Sequence, residues 1–139
     1  MRFVAAFAYL LARVAGADLA TANDERTTMV GRLEKAAGLE PERAAMLADA
    51  AIAAADTHSA SDDHLVARAY REMSSEDERR LLVRCLYAVA AADASITTVE
   101  DNEIFEIATE IGLGRSDVVA LRAEFREHLA VLKALPRER

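Results

Sequence analysis

The sequence predicts an all-α fold: a single-domain bundle of about seven helices, built as two pseudo-symmetric three-helix repeats joined by a short linker helix. Three observations carry this expectation. Hydrophobic residues make up 53% of the 139, but aromatics only 5% with no Trp, so the core rests on Ala, Leu, Val and Ile. Five Gly and two Pro leave few tight turns, which disfavours a many-stranded sheet. A short acidic pattern also occurs twice. Val14-Ala15-Gly16-Ala17-Asp18 is followed seven residues on by Glu25, and Val89-Ala90-Ala91-Ala92-Asp93 is followed at the same distance by Glu100.

The elements follow in order. A first helix is expected over about 2–16, apolar on most sides. Arg2 before the run Phe3–Ala12, with Ala15-Gly16-Ala17 after it, imitates a secretory signal. Arg13 interrupts that run, and the same apolar run recurs inside the chain at Leu81–Ala92, so a structural helix is the reading adopted. The second helix, about 24–37, presents Met29, Val30 and Leu33 on one face and stops at Gly38. Pro41 suits the first position of a third helix running to about 55. Residues 56–61 form a polar break, and a short fourth helix at about 62–72 lies in a linker of about 61–72.

Ser75-x-x-Glu78 is a capping box opening a fifth helix at about 76–92, and Thr97-x-x-Glu100 opens a sixth at about 98–111. Ile104, Phe105, Ile107, Ala108 and Ile111 are the apolar stripe of the sixth, which Gly112 ends. A seventh is expected over about 116–133, ahead of a tail at 136–139. Gly38-Leu39 matches Gly112-Leu113, and Leu47 matches Leu121, extending the repeat. Repeat one is placed at about 2–55 and repeat two at about 75–133.

Charge and motifs exclude several functions. A net charge of −7 opposes nonspecific nucleic-acid binding, which needs Lys and Arg against phosphates. No apolar run reaches the roughly 20 residues that span a bilayer. A lone Cys85 on an apolar face reads as core packing in a reducing, cytoplasmic setting. No nucleophile triad, Walker loop or dinucleotide fingerprint is present, so no enzymatic activity is expected. Counting from Asp93, an EF-hand would need Gly at position 98 and Glu at 104, where Thr98 and Ile104 stand. Glu-x-x-His pairs of a di-iron bundle are missing.

The acidic corners are the candidate sites. A carboxylate at a helix end, followed by a Glu in the next helix's first turn, supplies hard oxygen ligands for a divalent cation such as Ca²⁺. The candidate metal residues are Asp93 and Glu100, then Asp18 and Glu25. Asp24, Asp101 and Glu103 stand close enough in sequence to add charge. Capping competes with this reading: Thr97-x-x-Glu100 and Thr21-x-x-Asp24 both satisfy the pattern. Asp56, His58, Asp62, Asp63 and His64 could ligate a transition metal, but a solvated loop is the plainer reading, and His128 reads as a surface residue.

The run Tyr87 to Thr97 with Glu100, then Ile107-Ala108 and Ile111-Gly112-Leu113, resembles the TerB-like (tellurite resistance protein B) family. Leu10–Leu47 repeats the pattern, so the resemblance spans nearly the whole chain. It implies an all-helical, pseudo-symmetric bundle with acidic residues that bind cations, and a role in tellurite or other stress resistance. Related domains occur beside co-chaperone modules, and the alternative expectation is a protein-interaction or co-chaperone-associated scaffold without a metal role, using an apolar or acidic face to bind a protein partner or form a homodimer. The chain departs from the family pattern at Leu19 and Ala94, where Gly usually follows the Asp, and at Thr21, where a β-branched apolar residue is usual.

Overall fold

The computed structural model describes residues 2–15, 22–57, 60–93 and 95–129. It is all-helical, with seven α-helices and no strand among the described residues. In order they are α1 (Arg2–Ala15), α2 (Ala22–Ala37), α3 (Pro41–Thr57), α4 (Ala60–Met73), α5 (Glu76–Ala90), α6 (Thr98–Glu110) and α7 (Arg115–Ala123). Short 3-10 turns follow α5 at Ala91–Asp93 and α7 at Arg126–His128.

α1 and the apolar C-terminal part of α5 form the centre. α1 packs against α2, α3, α4, α5 and α6, and α5 against α1, α2, α6 and α7. Residues 6–15 of α1 and 85–90 of α5 are buried, the stretches where each helix is apolar nearly all round. α3 packs against α1 and α2 and buries the small residues Ala44, Ala48 and Ala51. Phe3, Phe7 and Tyr70 cluster, with the Phe3 and Tyr70 rings stacked 5.2 Å apart. The Tyr70 hydroxyl donates to the Glu78 carbonyl at 2.7 Å, tying α4 to the start of α5.

The expected start signals operate as read. Glu78 N–H donates to Ser75 Oγ at 3.2 Å, and Ser75 N–H donates back to Glu78 Oε1 at 2.8 Å. At the end of α6, Gly112 takes φ +80°; its N–H reaches the Thr109 carbonyl and Leu113 N–H reaches that of Ala108. That is the double closure of a Schellman motif, which needs a residue tolerant of positive φ. Gly38 ends α2 with φ +65°. Cys85 is buried as expected, and burial raises its thiol pKa.

Three boundaries differ. α3 continues two residues past 55, where the Thr57 hydroxyl bonds back to the Ala53 and Ala54 carbonyls. α4 begins at Ala60, so Asp62, Asp63 and His64 are helical and the solvated-loop reading fails for them; His58 lies outside the described residues. α7 stops at Ala123 instead of running to 133. Phe125, at φ −112° and ψ 14°, stacks on Tyr87 with centroids 5.7 Å apart. Beyond it Leu129 is 1% exposed and bridges Ile96, whose N–H donates to the His128 carbonyl. Phe125 thus packs near the end of α5, and Leu129 is buried beside Ile96 in the α5–α6 corner.

Candidate functional site

The second acidic corner is built by α5, its closing 3-10 turn and the start of α6. Asp93 ends that turn; its side chain lies outside the described part of the structure. Thr97, extended at φ −72° and ψ 160°, is the N-cap of α6. Its hydroxyl accepts from the Glu100 N–H at 3.1 Å and donates to Glu100 Oε1 at 3.0 Å, which also accepts from the Thr97 N–H at 2.9 Å. The Glu100 side chain is therefore folded back onto its own helix start, and the residue is 0% exposed.

Glu25 holds the same place in α2, the first turn, and is also 0% exposed. Asp18 and Thr21, the rest of the first corner, lie outside the described residues. Glu is seldom wholly buried without compensation. A first-turn position supplies part of it, because the positive end of the helix dipole favours a carboxylate there. The two Glu singled out by spacing are the only fully buried carboxylates among the described residues.

The neighbouring acids do not join either corner. Asp24 is exposed. Asp101 turns to Arg122, which grips both of its oxygens at 2.9–3.1 Å, and accepts from the Tyr87 hydroxyl at 3.0 Å. Burial and then the Asp101 charge raise the Tyr87 pKa, so the phenol stays a donor. Glu103 turns to Arg13. Among the described residues, no group of three or more His, Cys, Asp or Glu is arranged to hold a metal ion.

Arg13 is the polar centre that pattern reading missed. Its side chain is 5% exposed, and it meets Glu110 at 2.8 Å, Glu103 at 3.3 Å and Asp63 at 3.9 Å. Burial opposes its charge, but the Glu110 bond and the fields of the three carboxylates more than offset this and raise its pKa. Asp63 also accepts from the Tyr9 hydroxyl, and His64 Nδ1 lies 2.5 Å from Glu110 Oε2. Residues of α1, α4 and α6 are thus locked together. The signal in the sequence was the lone Arg inside an apolar helix, which has to be paired if that helix is buried.

A groove runs between α4, α6 and α7. One part encloses about 500 Å³, with Arg71, Phe105, Leu113, Arg115 and Val118 in its walls. The adjoining part, about 560 Å³, shares Phe105, Thr109 and Arg115 and continues to Arg122. A separate apolar groove of about 540 Å³ lies between α1 and α3, beside Val4, Leu39 and the exposed Met46. No helix among the described residues is long and apolar enough to cross a membrane.

The family model described as tellurite resistance protein TerB matches residues 4–123. No curated protein and no solved structure gives a match.

Proposed function

Since the chain belongs to the tellurite resistance protein TerB family, we propose that it is a non-enzymatic module of the tellurite- or stress-resistance type that takes up a divalent cation, Ca²⁺ first, at the Asp93–Glu100 corner. The observation that carries this reading is the complete burial of Glu25 and Glu100, the two Glu that the acidic repeat marks. Asp and Glu at one sequence corner are oxygen donors of the type a hard cation takes. The net charge of −7 adds a long-range attraction for cations. Matching burial of the two Glu, with Gly38 and Gly112 both at positive φ, also supports an internal duplication, with repeats at about 2–55 and 75–133 forming one domain.

Calorimetric titration with Ca²⁺, and melting with and without it, tests the cation reading. The wild type is expected to bind and to melt higher with the ion. Asp93→Asn, which leaves the Thr97–Glu100 cap in place, is expected to abolish the response; Asp18→Asn tests the first corner in the same way. A wild type indifferent to Ca²⁺, Mg²⁺ and Mn²⁺ would sink the reading.

A second reading, a protein-interaction module without a metal role, is favoured by one observation. The groove between α4, α6 and α7 is rimmed by Arg71 and Arg115 over an apolar floor. Such a surface has no part in either acidic corner.

A further inference from the structure

We infer that the groove between α4, α6 and α7 docks an acidic peptide segment of a protein partner. This rests on the interaction reading and gives it a place and a ligand chemistry. The floor is apolar: Phe105 is half-buried, and Leu113 and Val118 are 7% and 2% exposed. The rim carries Arg71 from α4 and Arg115 from α7, and no carboxylate lines this part of the groove. Among the described residues no carboxylate lies within 4 Å of either guanidinium. Arg122, farther along, is by contrast fully engaged by Asp101.

Both cations are held along the groove. Arg115 lies 5.9 Å over the Phe105 ring, within the range of a cation–π contact. Arg71 lies across Gly112 so closely that a Cβ there would fall 2.7 Å from its Nε. The bare glycine lets the guanidinium lie over the end of α6. Two exposed guanidinium groups on an otherwise acidic chain form a local positive spot that selects carboxylates by charge and by the fork geometry of Arg. The space of about 500 Å³ shares walls with the adjoining one of about 560 Å³, where Asp101 is held by Arg122 and Glu106 also lines the wall, so the acidic residues of the peptide belong at the Arg71–Arg115 end. The α1–α3 groove has only Arg43 on its wall and no comparable charge pattern.

The test selects binders from a random decapeptide display library on the intact protein and measures the enriched peptide, fluorescein-labelled, by anisotropy. Asp- and Glu-rich peptides carrying an apolar residue are expected, with affinity that falls as salt rises. Arg71→Glu with Arg115→Glu should weaken binding at least tenfold, and Arg71→Gln with Arg115→Gln by a smaller factor. Arg43→Glu and Asp93→Asn should leave it unchanged. Both arginines are exposed, so melting curves of the variants should stay close to wild type. Selection of neutral or basic peptides, or binding indifferent to the Arg71 and Arg115 changes, overturns the proposal while leaving an interaction role at another surface. Recovery of no peptide also overturns the proposal, and leaves the interaction reading to a folded partner or a second copy of the chain. Self-association that sedimentation shows to be lost in the double Glu variant would make the occupant a second copy of the chain, and would also overturn it.

Discussion

Arg13 of α1 and Glu110 at the end of α6 meet at 2.8 Å, across 97 residues of sequence, with their side chains 5% and 9% exposed. Glu103 and Asp63 add two more carboxylates around the same guanidinium. One buried cation therefore connects α1, α4 and α6, and its removal would leave several acids crowded without it.

Arg13→Met is accordingly expected to cost about 3–5 kcal/mol of stability, the usual consequence of breaking a buried ion pair from one side. Arg13→Lys keeps the charge but loses the planar fork and should fall between the two. Urea denaturation measures both; a loss below about 1 kcal/mol for Arg13→Met would contradict the role given to this residue.

Glu103 gives a pH dependence with a definite sign. Burial raises its pKa, Arg13 counters this only in part, and the nearby Glu106 carboxylate, to which a protonated Glu103 donates, adds to the rise. The folded state then holds this proton to higher pH than the unfolded chain. The group's contribution is fully present below the ordinary Glu value near 4.5 and is lost as pH climbs through the raised one. Glu103→Gln should remove that decline, so that the difference between variant and wild-type melting temperature grows in the variant's favour from pH 4 to pH 8. A constant difference would refute it.

The cap at Thr97 can be isolated by substitution. Thr97→Ala removes the hydroxyl that serves the Glu100 N–H and carboxylate, and should cost about 1 kcal/mol. Thr97→Ser keeps the hydroxyl and should stay within a few tenths of wild type. Equal losses in both variants would show that the methyl group, not the cap, matters.

Gly38 and Gly112 share positive φ but differ in surroundings. Each Gly→Ala change should cost about 1 kcal/mol for the left-handed conformation. At Gly38 a Cβ meets nothing within 4 Å, whereas at Gly112 it meets the Arg71 side chain. Arg71 is exposed and can shift, so the two stability losses should be similar, but only Gly112→Ala should weaken acidic-peptide binding. Unequal peptide effects in the opposite order would contradict this placement of Arg71.

What could be read from the sequence was local. The Ser75 and Thr97 boxes, the Gly38 and Gly112 stops and the apolar length of α5 depend on neighbours within a few residues, and they form as their spacing predicts. Spacing also singled out Glu25 and Glu100. The fold of the Glu100 carboxylate onto Thr97 is the box's own return bond, but the complete burial of both Glu belongs to the packed structure. The role of Asp101 and Glu103 as partners of Arg122 and Arg13 was not legible, because charge near a motif does not state which way a side chain turns.

The end of α7 shows the same division. Helical periodicity continues past Ala123, yet the helix stops there, and Phe125 and Leu129 pack on Tyr87 and beside Ile96. The sequence by itself determined that the chain is helical, the capped starts of α5 and α6, the glycine stops at Gly38 and Gly112, and family membership, since these depend on hydrogen bonds and patterns a few residues long. Tertiary structure alone decided that Arg13 is a buried hub, that the two Glu are sealed from water, and that Arg71 and Arg115 share a groove. These depend on which distant side chains meet, and on the cost of leaving a charge unpaired once water has been excluded.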